Sequence, residues 1–375
     1  MPAPCAPRDR DPRENGDHRA VQWDLFARLV DFHGDVGFAW RLASDLAARG
    51  VDVRLWLDDR SDLAWMAPGG APAVTVAGWA DASRAEPGDV VLETFGCGMP
   101  DDFLRRMGAS LKRPPWIDVE YLSAEAYVER SHGLPSPRAE GPGAGLVEWY
   151  YYPGFTPATG GLLRESSWCD ARLRFDRDAW WARVDPRGDR RPRAGERPVS
   201  LFCYDNAAVR RLLAHLSMQP TVLYATAGVA ARLVQAQVGA MDRFGELRIV
   251  TLPRLTQADY DRLLWSCDLN FVRGEDSFVR AQWAGAPFVW QAYPQHDGAH
   301  AAKVEAFLDR MLEAAPSPLA STVRGVFRAW NGLDSWPGRW PNAADWCSHA
   351  VAWRESLAVQ TDLTTRLLAF AAAKR

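Results

Sequence analysis

Apolar residues along the chain fall into short runs of strand length that alternate with stretches at helical spacing. The run WDLFARLV at 23–30 is apolar enough for a strand and breaks at DFHGDVG. From 36 to 49, Val36, Ala39, Trp40, Ala43, Leu46 and Ala47 recur at helical spacing and Gly50 supplies a stop, which predicts a helix. VDVRLWL, VVLETF and PWIDV follow as further short apolar runs, separated by turn residues and helical stretches. This alternation predicts α/β architecture with a parallel sheet.

Between about 170 and 198 the composition changes to DARLRFDRDAWWARVDPRGDRRPRAGERP, dense in Arg, Asp and Pro, and reads as a connection between domains. A second series then begins with the strand VSLFCY and a helix over 207–216. The strand TVLY and a helix over 229–238 follow, then the strand LRIVTL and a helix over 258–266, then the strand LNFVR and a helix over 277–284. Both halves read as doubly wound layers, whose ligands sit beyond the carboxyl ends of the strands. The expected organisation is a loose tail at 1–20, an N-terminal lobe at 21–172, a connector at 173–198 and a C-terminal lobe at 199–350. A helix within 351–375 is expected to pack back on the lobes.

A length of 375 residues suits two such lobes with a cleft between them. Lys and Arg total 44 against 47 Asp and Glu, a net charge of -3, so no overall positive field points to nucleic acid or an anionic membrane. The six cysteines are dispersed with no metal spacing, which suits reduced thiols. The first 20 residues lack the apolar segment of a secretory signal, and the charge-free runs at 63–80 and 212–231 are interrupted by Pro and Gly. A cytoplasmic protein is expected. Most of the 18 tryptophans are assigned to packing, with a few available to line a cleft.

The candidate chemistry concentrates in two strand-to-helix turns. In FVRGEDSFVRAQWA, Gly274 permits close backbone approach, and Glu275, Asp276 and Ser277 fall at the start of a helix. Carboxylates there can be caps alone. The whole set, with Arg273 and Arg280 beside it, also suits a nucleotide sugar: helix N–H groups and an Arg for phosphate, and a carboxylate for sugar hydroxyls. In the first turn, Asp35 is placed to cap the helix beginning at Val36, while Asp31 at the strand end is expected to face the cleft. Gly34 and Gly37 allow a ligand or the other lobe to come close. His33, His296 and His300 are alternative bases, and the DxD spacings, including Asp259/Asp261, are not read as metal sites.

The stretches VDFHGDVGFAWRLA, IDVEYLSAE, PGFTPATGGLLRE and above all LLWSCDLNFVRGEDSFVRAQWAGAPFVW closely resemble the EarP family, from about Trp23 to the C-terminal helix. The resemblance implies a GT-B glycosyltransferase of two Rossmann-like lobes, inverting and without a metal ion or other cofactor. The implied donor is dTDP-β-L-rhamnose, and the implied acceptor is an arginine of translation elongation factor P (EF-P). It places the catalytic acids at Asp31, Asp35 and Glu275, with Asp35 the general base, and Asp276 and Ser277 beside the diphosphate. Phe202, Tyr204, Pro253, Gln257, Arg273, Gly274 and Arg280 fall on the donor side, and His33, Gly34, Gly37 and Glu120 on the acceptor side. Arg254 occupies a place where relatives carry an aromatic residue. A transferase-like partner of EF-P that binds without chemistry is the alternative, and acids on both sides of the cleft weigh against it. A nicotinamide enzyme is disfavoured by the missing GxGxxG.

Overall fold

Seven strands of the first half pair as one sheet: β1 (Gln22–Ala27), β2 (Asp52–Leu57), β3 (Val74–Gly78), β4 (Val90–Thr94), β5 (Trp116–Val119), β6 (Pro135–Pro137) and β7 (Val147–Tyr151). Their order is β3-β2-β1-β4-β5-β7-β6, parallel except for β6. The second half pairs β8 (Arg197–Leu201), β9 (Thr221–Ala225), β10 (Arg243–Phe244), β11 (Leu247–Thr251), β12 (Leu269–Arg273) and β13 (Phe288–Gln291). Their order is β10-β11-β9-β8-β12-β13, with only β10 antiparallel. This computed structural model describes residues 21–30, 33–294 and 298–375. The expected tail, Asp31 and His296 lie outside them.

The direction of winding reverses at β1, between β2 and β4, and at β8, between β9 and β12. Such switch points leave a crevice beyond the strand ends. Buried strands carry near-continuous apolar runs because helices cover both faces, and β1 is buried from Trp23 to Ala27. Asp24 is the exception. Its carboxylate is satisfied inside the sheet by Arg54 at 2.7 and 2.8 Å and by the Trp56 indole at 2.7 Å.

Three local expectations need correction. The first helix spans Gly34–Ala48, so Asp35 lies in its first turn; the capping position is His33, without a side-chain capping bond. The Arg- and Pro-rich stretch read as a connector packs on the C-terminal lobe, because Trp180 and Trp181 pack against Val222 and Tyr224. Its charged composition hides two buried indoles. The passage between lobes comes earlier, since Leu162 belongs to the C-terminal core and Leu163 to the N-terminal one. Finally, the C-terminus holds two helices with different partners. Ala343–Ala358 packs on the C-terminal lobe through Trp346 and Leu357, and Leu363–Lys374 returns to the N-terminal lobe through Leu363, Leu367 and Ala371. No helix among the described residues is long and apolar enough to cross a membrane.

Candidate active site

β12 ends in a turn at Gly274, whose φ of 67° favours a residue without Cβ. The helix Asp276–Ala284 follows. Ser277 fastens the two together: its Oγ accepts from the Arg273 N–H at 3.1 Å and donates to the Arg273 carbonyl. Glu275 stands at the capping position but makes no side-chain capping bond. Its Oε1 instead accepts the Leu122 N–H of the other lobe at 2.6 Å. A cap therefore does not account for this acid.

Both lobes line one cavity. His33, Gly34, Trp65 and Met66 contribute from the N-terminal side. Of the expected donor-side positions, Phe202, Pro253, Arg254, Gln257, Arg273, Asp276 and Ser277 face it. The Arg273 guanidinium lies 4.4 Å from the Phe202 ring centre and 4.6 Å from that of Tyr204, within cation–π range. Arg254 stands over the Trp65 ring at 5.4 Å, so the place expected of an aromatic is filled by a cation stacked on an indole from the facing lobe. Trp65 is braced in turn by Asp62, which accepts its indole N–H at 3.0 Å and also pairs with His33 Nδ1 at 2.5 Å.

Arg280 does not line this cavity. It is buried one turn further along its helix, held by Asp261 at 3.1 and 2.9 Å and by Glu165 at 2.5 Å. Arg280 follows Ser277 by three residues and Asp276 by four, so it shares their face of the helix one turn further on, between the lobes. Its charge is spent on carboxylates. Asp261, seen in the sequence only as half of a DxD, is here an ion-pair partner.

In the N-terminal lobe the Asp35 carboxylate is buried. Its Oδ2 accepts the Val30 N–H at 3.1 Å, and Tyr121 Oη lies 3.4 Å from Oδ1. Tyr121 stacks face to face on Phe95, with ring centres 3.9 Å apart and planes within 4°. Phe95 holds this position with φ of 61°, a left-handed backbone that costs a non-glycine residue about 1–3 kcal/mol and concentrates at functional sites. Glu120 precedes Tyr121, and burial is the main cause that raises its carboxyl above the usual range. Gly37 faces the other lobe: its carbonyl accepts Gln257 Nε2 at 2.9 Å, and a Cβ there would meet that nitrogen at 3.0 Å. Trp65, Tyr121, Phe95 and Leu122 escaped sequence reasoning. Trp65 lay in a run read only for its apolar character, and the others depend on partners distant in the chain.

Comparison with known proteins decides the family. The model described as Elongation-Factor P (EF-P) rhamnosyltransferase EarP matches residues 23–372. The chain belongs to the EarP family. Within it, the protein-arginine rhamnosyltransferase of Pseudomonas aeruginosa is 39% identical, covering 93% of this chain and 98% of the relative. The Pseudomonas putida protein-arginine rhamnosyltransferase is 40% identical with the same coverage. A solved chain from a study of EarP-mediated arginine glycosylation of translation elongation factor EF-P superposes with a TM-score of 0.65 at 28% identity, over 94% of this chain and 99% of that one. A spinosyn rhamnosyltransferase shares the fold at TM-score 0.51 and 13% identity. The two facing lobes are those of a GT-B glycosyltransferase.

Proposed function

We propose that this EarP-family chain transfers L-rhamnose from dTDP-β-L-rhamnose to an arginine side chain of EF-P, in the cytoplasm, with inversion and without a metal ion. The observation that carries the proposal is the cavity shared by both lobes. Arg273, Asp276 and Ser277 line one wall and His33 and Gly34 line the other, with Asp35 next in the chain.

Guanidinium has a pKa of about 12.5 or higher and a carboxylic acid one of about 4, so full prior deprotonation would cost roughly 11 kcal/mol. Asp35 therefore acts concertedly: it binds and orients the guanidinium and accepts a proton as the C–N bond forms. Its carboxylate is held by the Val30 N–H at 3.1 Å and lies 3.4 Å from Tyr121 Oη. The bond from the anomeric carbon to the diphosphate breaks as the new bond forms on the opposite face. Charge then collects on dTDP, where Arg273 and the N–H groups at the start of the helix Asp276–Ala284 receive it.

Intact-mass and peptide mapping of EF-P after incubation with this protein and dTDP-β-L-rhamnose tests the proposal, with EDTA in one arm. A gain of one deoxyhexosyl unit on arginine, unaffected by EDTA and α-linked by NMR, is expected. Unmodified EF-P would overturn the acceptor assignment, loss of transfer in EDTA the metal-free step, and a β-linked product the inversion.

A further inference from the structure

Arg41 belongs to the N-terminal lobe, yet its three carboxylate partners, Glu165, Asp261 and Asp276, come from far along the chain. Nη1 donates to Glu165 at 3.0 Å and to Asp261 at 3.1 Å, and Nη2 donates to the other Asp261 oxygen at 2.9 Å. Both outer nitrogens are thus committed. The inner nitrogen, Nε, lies 2.8 Å from Asp276 Oδ1 but off the N–H direction, so this contact is electrostatic and not an aligned hydrogen bond. Arg280 completes the cluster from below through Asp261 and Glu165. Two guanidiniums face three carboxylates in a buried setting.

Simple attachment of the lobes is already provided by the bidentate pair with Asp261. The contact with Asp276 adds something else, because Asp276 lines the donor cavity and begins its helix. Gly37 and Arg41, four residues apart, share one face of the helix Gly34–Ala48. That face delivers two contacts to two neighbouring cavity residues: the Gly37 carbonyl to Gln257 at 2.9 Å and Arg41 to Asp276. Gln257 Nε2 in turn lies 3.4 Å from Asp276 Oδ2, which closes the circuit.

We propose that Arg41 is a positioning residue that acts through Asp276, registering the acceptor-side helix against the start of the donor-side helix so that the donor cavity is complete only when the lobes are held together. This rests on the reading of that cavity as the dTDP-sugar site. Without Arg41, Asp276, Asp261 and Glu165 share a single remaining guanidinium, and like charges drive the helix start away from Gly37. Lysine at 41 keeps the charge but cannot reach three carboxylates at once, since it lacks the planar fork.

The test compares wild type with Arg41→Met, Arg41→Lys, Asp276→Asn and the Arg41→Met/Asp276→Asn double variant. It measures dTDP affinity by calorimetry, donor KM and kcat, and the radius of gyration by X-ray scattering. Arg41→Met is expected to weaken dTDP binding and raise donor KM about tenfold or more, the loss that follows from breaking a buried charge pair, with a smaller change in kcat. Arg41→Lys should recover part of the affinity, and the double variant should be no worse than the weaker single. Folded Arg41→Met that binds dTDP like wild type, or effects of the two substitutions that simply add, would overturn the proposal. Scattering needs no nucleotide: a larger radius for Arg41→Met is expected, and an unchanged radius overturns the registering role whether or not dTDP binds. Wild-type protein that fails to bind dTDP would instead overturn the donor reading, with the scattering result still deciding the role of Arg41.

Discussion

The Leu122 N–H of the N-terminal lobe donates to Glu275 Oε1 of the C-terminal lobe at 2.6 Å. The pair joins the loop carrying Tyr121, which contacts Asp35, to the turn that begins the helix Asp276–Ala284. Glu275→Ala strands a buried N–H, at a cost of about 1–3 kcal/mol. Glu275→Gln retains an acceptor for Leu122. Thermal unfolding should show Ala clearly destabilised and Gln near wild type. If Glu275 also takes part in the chemistry, as the resemblance to the EarP family implies, Gln will retain stability yet lose turnover, whereas full activity of Gln would remove it from the chemistry.

Asp35→Asn keeps the size of the side chain and an acceptor for the Val30 N–H, but it cannot take a proton. Transfer should fall by about 10²- to 10⁴-fold, the usual contribution of a general base. Calorimetric dTDP affinity should stay close to wild type. A large loss of nucleotide binding would move Asp35 to the donor side.

Arg254 and Trp65 meet across the cavity at 5.4 Å. An exposed cation–π contact contributes about 0.5–1 kcal/mol, so Arg254→Ala and Trp65→Ala should each weaken dTDP binding by several-fold. Because the residues touch, their effects should not add in the double variant. Strict additivity in calorimetry would show that they serve the nucleotide independently.

The N-terminal lobe buries carboxylic acids whose ionisation opposes stability at high pH. Burial, then Glu93 and Glu120, pushes Asp118 up to about 8; burial, then Glu148, pushes Glu93 up to about 7. In the unfolded chain such groups titrate near about 4. Between those values the folded state retains protons that the unfolded state has lost, so stability falls as pH rises from about 4 to about 8. Asp118→Asn should flatten that decline in Tm. An unchanged slope in thermal scans would mean that the folded protein leaves Asp118 ionised.

Strands and helices that bury a continuous face were legible before any coordinates. The strand Leu269–Arg273 and the helix Val229–Val238 match their expected bounds, because burial on both faces of a strand and one stripe of a helix leaves a periodic signal. The polar turn after β12 was legible as a candidate site because four unusual residue types stand together there. Arg41, Glu165 and Asp261 were not, since each looks like a solvated charge until residues 220 positions apart are brought together. Arg280 misled for the same reason: an Arg near a presumed phosphate looks like its ligand unless the carboxylates that hold it are visible. Trp180 and Trp181 were obscured by the Arg, Asp and Pro around them.

The polypeptide passes between the lobes at 162–163 and again between its last two helices, and these crossings lie side by side. The Leu363 N–H bonds to the Leu162 carbonyl at 2.9 Å, and Arg164 donates to the carbonyls of Ala358 and Gln360 at 2.7 and 3.3 Å. A single tether would leave the halves free to swivel. Two tethers bound along one line act as the spine of a book, suppressing twist and sliding and leaving rotation about that line as the soft motion. The leaves of the book are the two sheets, and a substrate large enough to need them parted has one direction in which to part them.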